Sequence, residues 1–175
     1  MMDQLPATPP DSAIQPEAMA VQGKVVLQQA LIKLLALARR EIVLVLPALP
    51  ALFDEESISQ ALISFVRQSA KREVVILLNN LSDQPASSHQ LVRLAQRMPS
   101  RFPFKQVQTL LEPPVATLDY LVIVDRQHML RIDRIESLSG WFDLANPVRA
   151  EQYAESVFKQ WPKAKEIGEF KRFMM

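Results

Sequence analysis

The sequence predicts an α/β fold in one domain. Ile42-Val43-Leu44-Val45-Leu46 and Val74-Val75-Ile76-Leu77-Leu78 are short and apolar, without polar alternation, as strands covered on both faces are. Between them lies a helical pattern with Ile58, Leu62, Phe65 and Val66 on its inner face. Strand, helix and strand in that order imply a right-handed crossover and a parallel pair. With 175 residues the chain suits one domain, which can bury about 70% of the surface of its unfolded state.

The elements follow in order. Residues 1–22 hold Pro6, Pro9, Pro10 and Pro16 among Ala, Ser, Gln and Asp and offer no periodic apolar face, so they read as a flexible tail before a single domain at 23–175. A first helix begins near Lys24. Val25, Val26, Leu27, Leu31, Leu34 and Leu35 leave it only a narrow polar stripe, which predicts a largely buried helix. Asp54 is placed to cap the second helix, which runs to about Ala70. A third helix turns Leu91, Leu94, Ala95 and Met98 inward and stops at Pro99, and residues 102–107 form a weaker edge strand. Beyond Pro113-Pro114, residues 120–124 and 128–132 are strands joined through Asp125-Arg126-Gln127 in a tight antiparallel hairpin. The last helix takes Asn146 as N-cap and Pro147 as first residue, turns Tyr153, Val157, Phe158 and Trp161 inward, and leads to a short helical tail ending at Met175. The predicted architecture is a central, mostly parallel sheet with an antiparallel hairpin and flanking helices. No internal repeat is visible.

Composition narrows the function classes. Twenty basic residues against 19 acidic ones leave a net charge of +1, with no bulk pull toward nucleic acid or membrane. The absence of cysteine removes disulfides, thiolate metal sites and a cysteine nucleophile, as suits a reducing compartment. Three glycines, Gly23, Gly140 and Gly168, cannot build a phosphate cradle, and two histidines, His89 and His128, cannot supply a His-Glu-x-x-His site. No cofactor and no metal are therefore expected. The N-terminus carries Asp3 and Asp11 where a secretion signal has Lys or Arg, and the apolar stretch 42–53 is interrupted by Pro47 and Pro50. The expectation is a soluble, cytoplasmic protein with no membrane contact.

The order of elements resembles one repeat of the phospholipase D superfamily: a long apolar helix, a buried strand, a helix, the strand Arg72-Glu73-Val74-Val75-Ile76-Leu77-Leu78-Asn79, and later an apolar strand ending in Asp. Asn146-Pro147 followed by Glu151, Ala154, Phe158 and Trp161 looks like the C-terminal helix of such repeats. Ser88-His89-Gln90-Leu91-Val92-Arg93-Leu94-Ala95-Gln96-Arg97 and Pro99-Ser100-Arg101 are similar to an uncharacterised bacterial group of phospholipase D-like domains, sometimes fused to acetyltransferases. The resemblance covers about residues 25–162 and implies half of a phospholipase D-type fold. That superfamily works through His-x-Lys-x-x-x-x-Asp, in which His attacks phosphorus, Lys holds phosphate oxygens and Asp supports the site. Here the matching strand puts Leu118 and Tyr120 in place of His and Lys, and only Asp125 matches. The resemblance thus implies a degenerate repeat and a pseudoenzyme. Single-repeat relatives pair two halves across a two-fold interface, so a homodimer is also open.

The remaining candidates each have two readings. Asp125 is a relic of the site or the opening residue of a turn that its own backbone hydrogen bonds favour. His128 on the return strand is a general base or a packing residue, and with Arg126 and Arg131 it completes a possible ligand-binding set around Asp125. His89 follows Ser87 and Ser88, either of which explains the segment as a helix cap. Arg93, Arg97 and Arg101, near Lys71 and Arg72, are an anion patch or a solvated face. The loop 47–53 leaves the end of a strand where α/β sheets place ligands, and is equally a core-packed loop or a partner-binding ridge. The combined reading is a non-catalytic binding or interaction module whose first-choice partner is a protein, with nucleic acid second. The alternative is a phosphoesterase or nucleic-acid-processing enzyme with a site relocated to Asp125 and His128. Convergence of Asp125, Arg126, His128 and Arg131 on one pocket would favour the enzyme.

Overall fold

The computed structural model describes residues 18–78, 88–107, 119–134, 138–143 and 147–166. Eight strands form one sheet: β1 (Ala18–Gln22), β2 (Glu41–Leu46), β3 (Glu73–Leu78), β4 (Phe104–Gln106), β5 (Tyr120–Val124), β6 (His128–Arg134), β7 (Ser139–Asp143) and β8 (Lys165–Glu166). Their spatial order is β1-β7-β6-β5-β2-β3-β4-β8. Four helices flank them: α1 (Lys24–Leu37), α2 (Glu56–Arg67), α3 (Gln90–Arg97) and α4 (Pro147–Gln160). The α/β class read from the sequence is the fold observed.

The two apolar runs are central because both faces of the sheet are covered. Ile42, Leu44 and Leu46 pack with Val74, Ile76 and Leu78 into the core beneath α1, α2 and α3, while Val43, Val45, Val75 and Leu77 join Tyr153, Ala154 and Val157 of α4. Two-sided burial removes any polar face, and so the alternation that marks a half-exposed strand. The sheet is mixed rather than mostly parallel: β2, β3 and β4 are parallel, but β5 enters antiparallel to β2 and β8 antiparallel to β4. Beyond β5 the sheet continues antiparallel through β6 and β7 to β1.

The β2–β3 register uncovers a similarity that the sequence reading passed over. Glu41 lies opposite Glu73 and each following residue opposite its counterpart, to Leu46 opposite Leu78. Ala38-Arg39-Arg40-Glu41 is thereby laid beside Ala70-Lys71-Arg72-Glu73, each followed by five apolar residues. Apolar runs resemble every other buried strand, so the signal rests on the basic-basic-acidic prefix alone.

Several expectations are corrected. Residues 18–22 are not tail but β1, an edge strand paired with β7. α1 buries Leu27, Ala30, Leu31, Leu34 and Leu35 and leaves Val25 and Val26 at 64% and 48% exposure, because only one stripe of the helix meets the sheet. Asp54 does not cap α2. Its N-cap is Glu55, and Asp54 instead accepts the Gln90 N–H at 2.8 Å. Phe158 and Trp161 are half-buried against the α4-side core, at the rim rather than inside it. Asn146 and the tail from residue 167 lie outside the described residues, whereas Pro147 does open α4.

Candidate functional site

Val124 ends β5, and the Gln127 N–H donates to its carbonyl at 2.9 Å, closing a turn whose central residues, Asp125 and Arg126, have φ of 53° and 56°. Two consecutive left-handed residues make the type I′ turn that matches strand twist, and Asp tolerates this region better than most residues. The turn projects beneath the junction of α1 and β2. There the Asp125 carboxylate accepts three backbone N–H groups: Arg39 on Oδ2 at 2.8 Å, and Arg40 and Glu41 on Oδ1 at 2.7 and 2.9 Å. Asp125 also donates its own N–H to the Glu41 carbonyl at 3.0 Å. Segments about 85 residues apart are clasped by one buried side chain.

Arg126 completes the corner. Its Nε lies 2.9 Å from Glu41 Oε2, and its guanidinium stands 4.8 Å from the centre of the Phe158 ring of α4. Between hairpin, β2 and the first turn of α4 is an open depression of about 440 Å³ lined by Arg40, Glu41, Asp125, Arg126, Gln127, Pro147 and Glu151. Burial pushes the carboxyl of neighbouring Glu73 upward from its ordinary range, helped by the charge of Glu41 opposite and opposed by Arg101.

Of the residues predicted to meet here, Asp125 and Arg126 do. His128 does not: it lies opposite Val124, on the sheet face covered by α1 to α3. Arg131 lies opposite Leu121 on the other face, its Nε 3.8 Å from Asp119 Oδ2. The depression therefore holds two of the four. Among the described residues its lining includes no serine, threonine, lysine or histidine, and both Asp125 oxygens already accept backbone protons. Tyr120, at the position of the superfamily lysine, is buried at the opposite end of β5, about 17 Å from Asp125 by strand rise. Leu118 lies outside the described residues.

The other candidates resolve into scaffold to different degrees. His89, not Ser88, is the N-cap of α3: its Nδ1 accepts the Leu91 N–H at 3.2 Å, and Nε2 reaches the Pro50 carbonyl at 3.0 Å. The buried imidazole thus pins the loop after β2, where Leu52 and Phe53 are core residues. Arg101 is turned inward, its guanidinium donating to the carbonyls of Val66 in the last turn of α2 and of Ser69 and Arg72 beyond it. Arg93 and Arg97 are exposed on α3. Among the described residues no three His, Asp or Glu side chains are grouped to hold a metal ion, and no helix is long and apolar enough to cross a membrane. Sequence reasoning did not place Arg40, Glu41 or Glu151 at the site; the basic-basic-acidic prefix was a signal for the first two, and Glu151 was named only as part of the last helix.

The sequence pattern of a family described as a domain of unknown function, DUF7931, matches residues 24–173. The chain belongs to that family. No curated protein is significantly similar to this DUF7931 chain. Solved structures are similar to it in fold. NucT from Helicobacter pylori superposes with a TM-score of 0.63 at 12% identity, covering 85% of this chain and 98% of NucT. TrmBL2, an archaeal chromatin protein whose structure shows a novel mode of DNA binding, superposes with a TM-score of 0.58 at 14% identity. That match covers 93% of the DUF7931 chain, which spans 57% of the TrmBL2 chain. At such identities the likeness speaks for the fold, which is phospholipase D-like.

Proposed function

We propose that this DUF7931 domain is a binding module that keeps the phospholipase D-like scaffold without its phosphohistidine chemistry. The observation that carries the reading is the employment of Asp125. The one residue that matches the superfamily motif is committed to three backbone N–H groups and holds the hairpin to the α1–β2 junction. Its retention is thus accounted for by folding alone. The nucleophile position is Leu118, which has no nucleophilic atom to form a phosphoryl intermediate, and the cation position is the buried Tyr120, whose phenol is neutral at its ordinary protonation and cannot neutralise a phosphate oxygen.

The test is direct. Purified protein is offered bis(p-nitrophenyl) phosphate, a phospholipid and single-stranded DNA beside a mock preparation, and no turnover above the mock is expected, since loss of a nucleophile costs many powers of ten in rate. Turnover that survives repurification and disappears in Arg126→Ala or His128→Ala would overturn the reading and establish a rebuilt site at the hairpin.

A further inference from the structure

The whole chain is nearly neutral, but its charges are not evenly placed. The parallel register aligns Glu41 with Glu73, so the dibasic pairs Arg39-Arg40 and Lys71-Arg72 directly precede two neighbouring strands at the same end of the sheet. The same end of the sheet receives the C-terminal turns of α2 and α3, which carry Arg67 and Arg97. Arg101 ties these pieces together, since its guanidinium meets the carbonyls of Val66, Ser69 and Arg72 while its N–H donates to Met98 at 3.0 Å. Arg126 and Arg40 at the neighbouring depression extend the row toward α4.

Part of this charge has structural work. Arg39 lies 3.4 Å from the Ala36 and Ala38 carbonyls at the end of α1, Arg101 satisfies carbonyls in and beyond the last turn of α2, and Arg126 is paired with Glu41. Arg40, Arg67, Lys71 and Arg97 have no such employment: all are exposed, and among the described residues none makes a salt bridge. A single cation in the last turn of a helix is accounted for by the helix dipole. Dibasic pairs in front of two adjacent parallel strands, bordered by further arginines, exceed that need and create a positive edge on a neutral protein.

We propose that this edge, where β2, β3 and β4 begin, binds the sugar–phosphate backbone of nucleic acid. It deepens the binding-module reading, on which it rests, by naming the partner's chemistry and the surface that meets it. The edge is mainly arginine, whose planar fork suits phosphodiester oxygens, and it offers no constellation for reading bases, so binding is independent of sequence. A membrane-surface site would pair the cations with an inserted apolar face. Val25 and Val26, the valines exposed on α1, stand at its far end, and of the large exposed apolar side chains among the described residues Leu37 and Val148, on separate helices, border the edge, which is no continuous apolar face.

The experiment is fluorescence anisotropy of a labelled mixed-sequence duplex titrated with the full chain over a range of salt. If Arg40, Arg67, Lys71 and Arg97 each displace one counterion, the logarithm of the association constant falls against that of salt with a slope of about −3.6. Each of Arg40→Ala, Lys71→Ala and Arg97→Ala should weaken binding alike for unrelated sequences and lower the slope by about 1. Lys24→Ala and Lys163→Ala, at the opposite end, should leave it unchanged. Circular dichroism confirms that each variant is folded. Absence of duplex binding at low salt, binding indifferent to the three edge variants, or binding only to phosphatidylserine vesicles would overturn the proposal. Absence of binding leaves the non-catalytic reading intact, whereas cleavage of the bound duplex would sink that reading and leave the surface standing.

Discussion

Asp125→Ala removes the acceptor of three partly buried N–H groups at once. A hydrogen bond to a charged acceptor contributes about 1.5 to 3 kcal/mol, and an orphaned buried donor costs a similar amount, but Arg39 and Arg40 are exposed enough for water to replace part of each bond. About 1 kcal/mol per bond is then a fair discount. Alanine at a φ of 53° adds roughly 1 kcal/mol of strain that aspartate relieves through local hydrogen bonding. The expected loss is about 4 kcal/mol. With a urea slope of about 2 kcal/mol/M, the unfolding midpoint falls by about 2 M at unchanged slope. Asp125→Asn is the discriminating companion. It keeps one oxygen for Arg40 and Glu41, turns an NH2 toward the Arg39 N–H, tolerates the left-handed backbone, and should lose about half as much. The reasoning is refuted if Asp125→Ala unfolds at the wild-type midpoint, or if the asparagine variant is as unstable as the alanine one.

Three further substitutions probe the sheet and its border. A Cβ at Gly140 would meet the backbone oxygen of Arg131 at 2.2 Å and the Ile132 Cα at 2.9 Å, neither of which can yield without parting β6 from β7. Gly140→Ala should therefore cost about 3 kcal/mol or more, read as a lowered urea midpoint, while Gly23→Ala should show backbone strain alone, since nothing lies within 4 Å of its added methyl. Glu73→Gln should stabilise at neutral pH. The fold holds the Glu73 proton more tightly than the unfolded chain does, so charging this carboxyl costs stability as pH rises from about 4.5 through its raised value. The gain of the glutamine variant should shrink to nothing below pH 4.5, and a constant gain across a pH series of melting curves would contradict it.

What was legible in the sequence followed from burial. Ile42 to Leu46 and Val74 to Leu78 declare themselves because a strand covered on both faces has no choice but to be apolar, and the β5–β6 hairpin because Asp125 suits its turn. β1 was hidden because an edge strand is held by backbone bonds to β7, and of residues 19–22 only Val21 is buried, so a single core contact leaves no periodic apolar face to read. The helix caps went astray for a related reason. Asp54 and His89 both carry acceptors, but which N–H each meets is decided by the docking of α3 onto the loop after β2, a contact across more than 30 residues. The site was half legible: Asp125 and Arg126 were named, but strand alternation sends His128 and Arg131 to opposite faces, and Glu41 joins the corner only once β2 lies antiparallel to β5. The basic edge was legible in part: Arg97, Lys71 and Arg72 were named as an anion patch, while Arg40 and Arg67 were not, because a net charge of +1 summed over the chain discards position.

The pairing of β1 with β7 bears on where this domain begins. Family similarity starts at residue 24, after the strand that closes one side of the sheet. A chain trimmed to that similarity would keep every helix and the interior apart from Val21, yet expose the main-chain donors and acceptors of Gly140, Trp141 and Phe142 along an unprotected flank. Another trimmed copy could satisfy them by strand addition, so five residues that supply the interior with little beyond Val21 are the ones that keep neighbouring molecules apart.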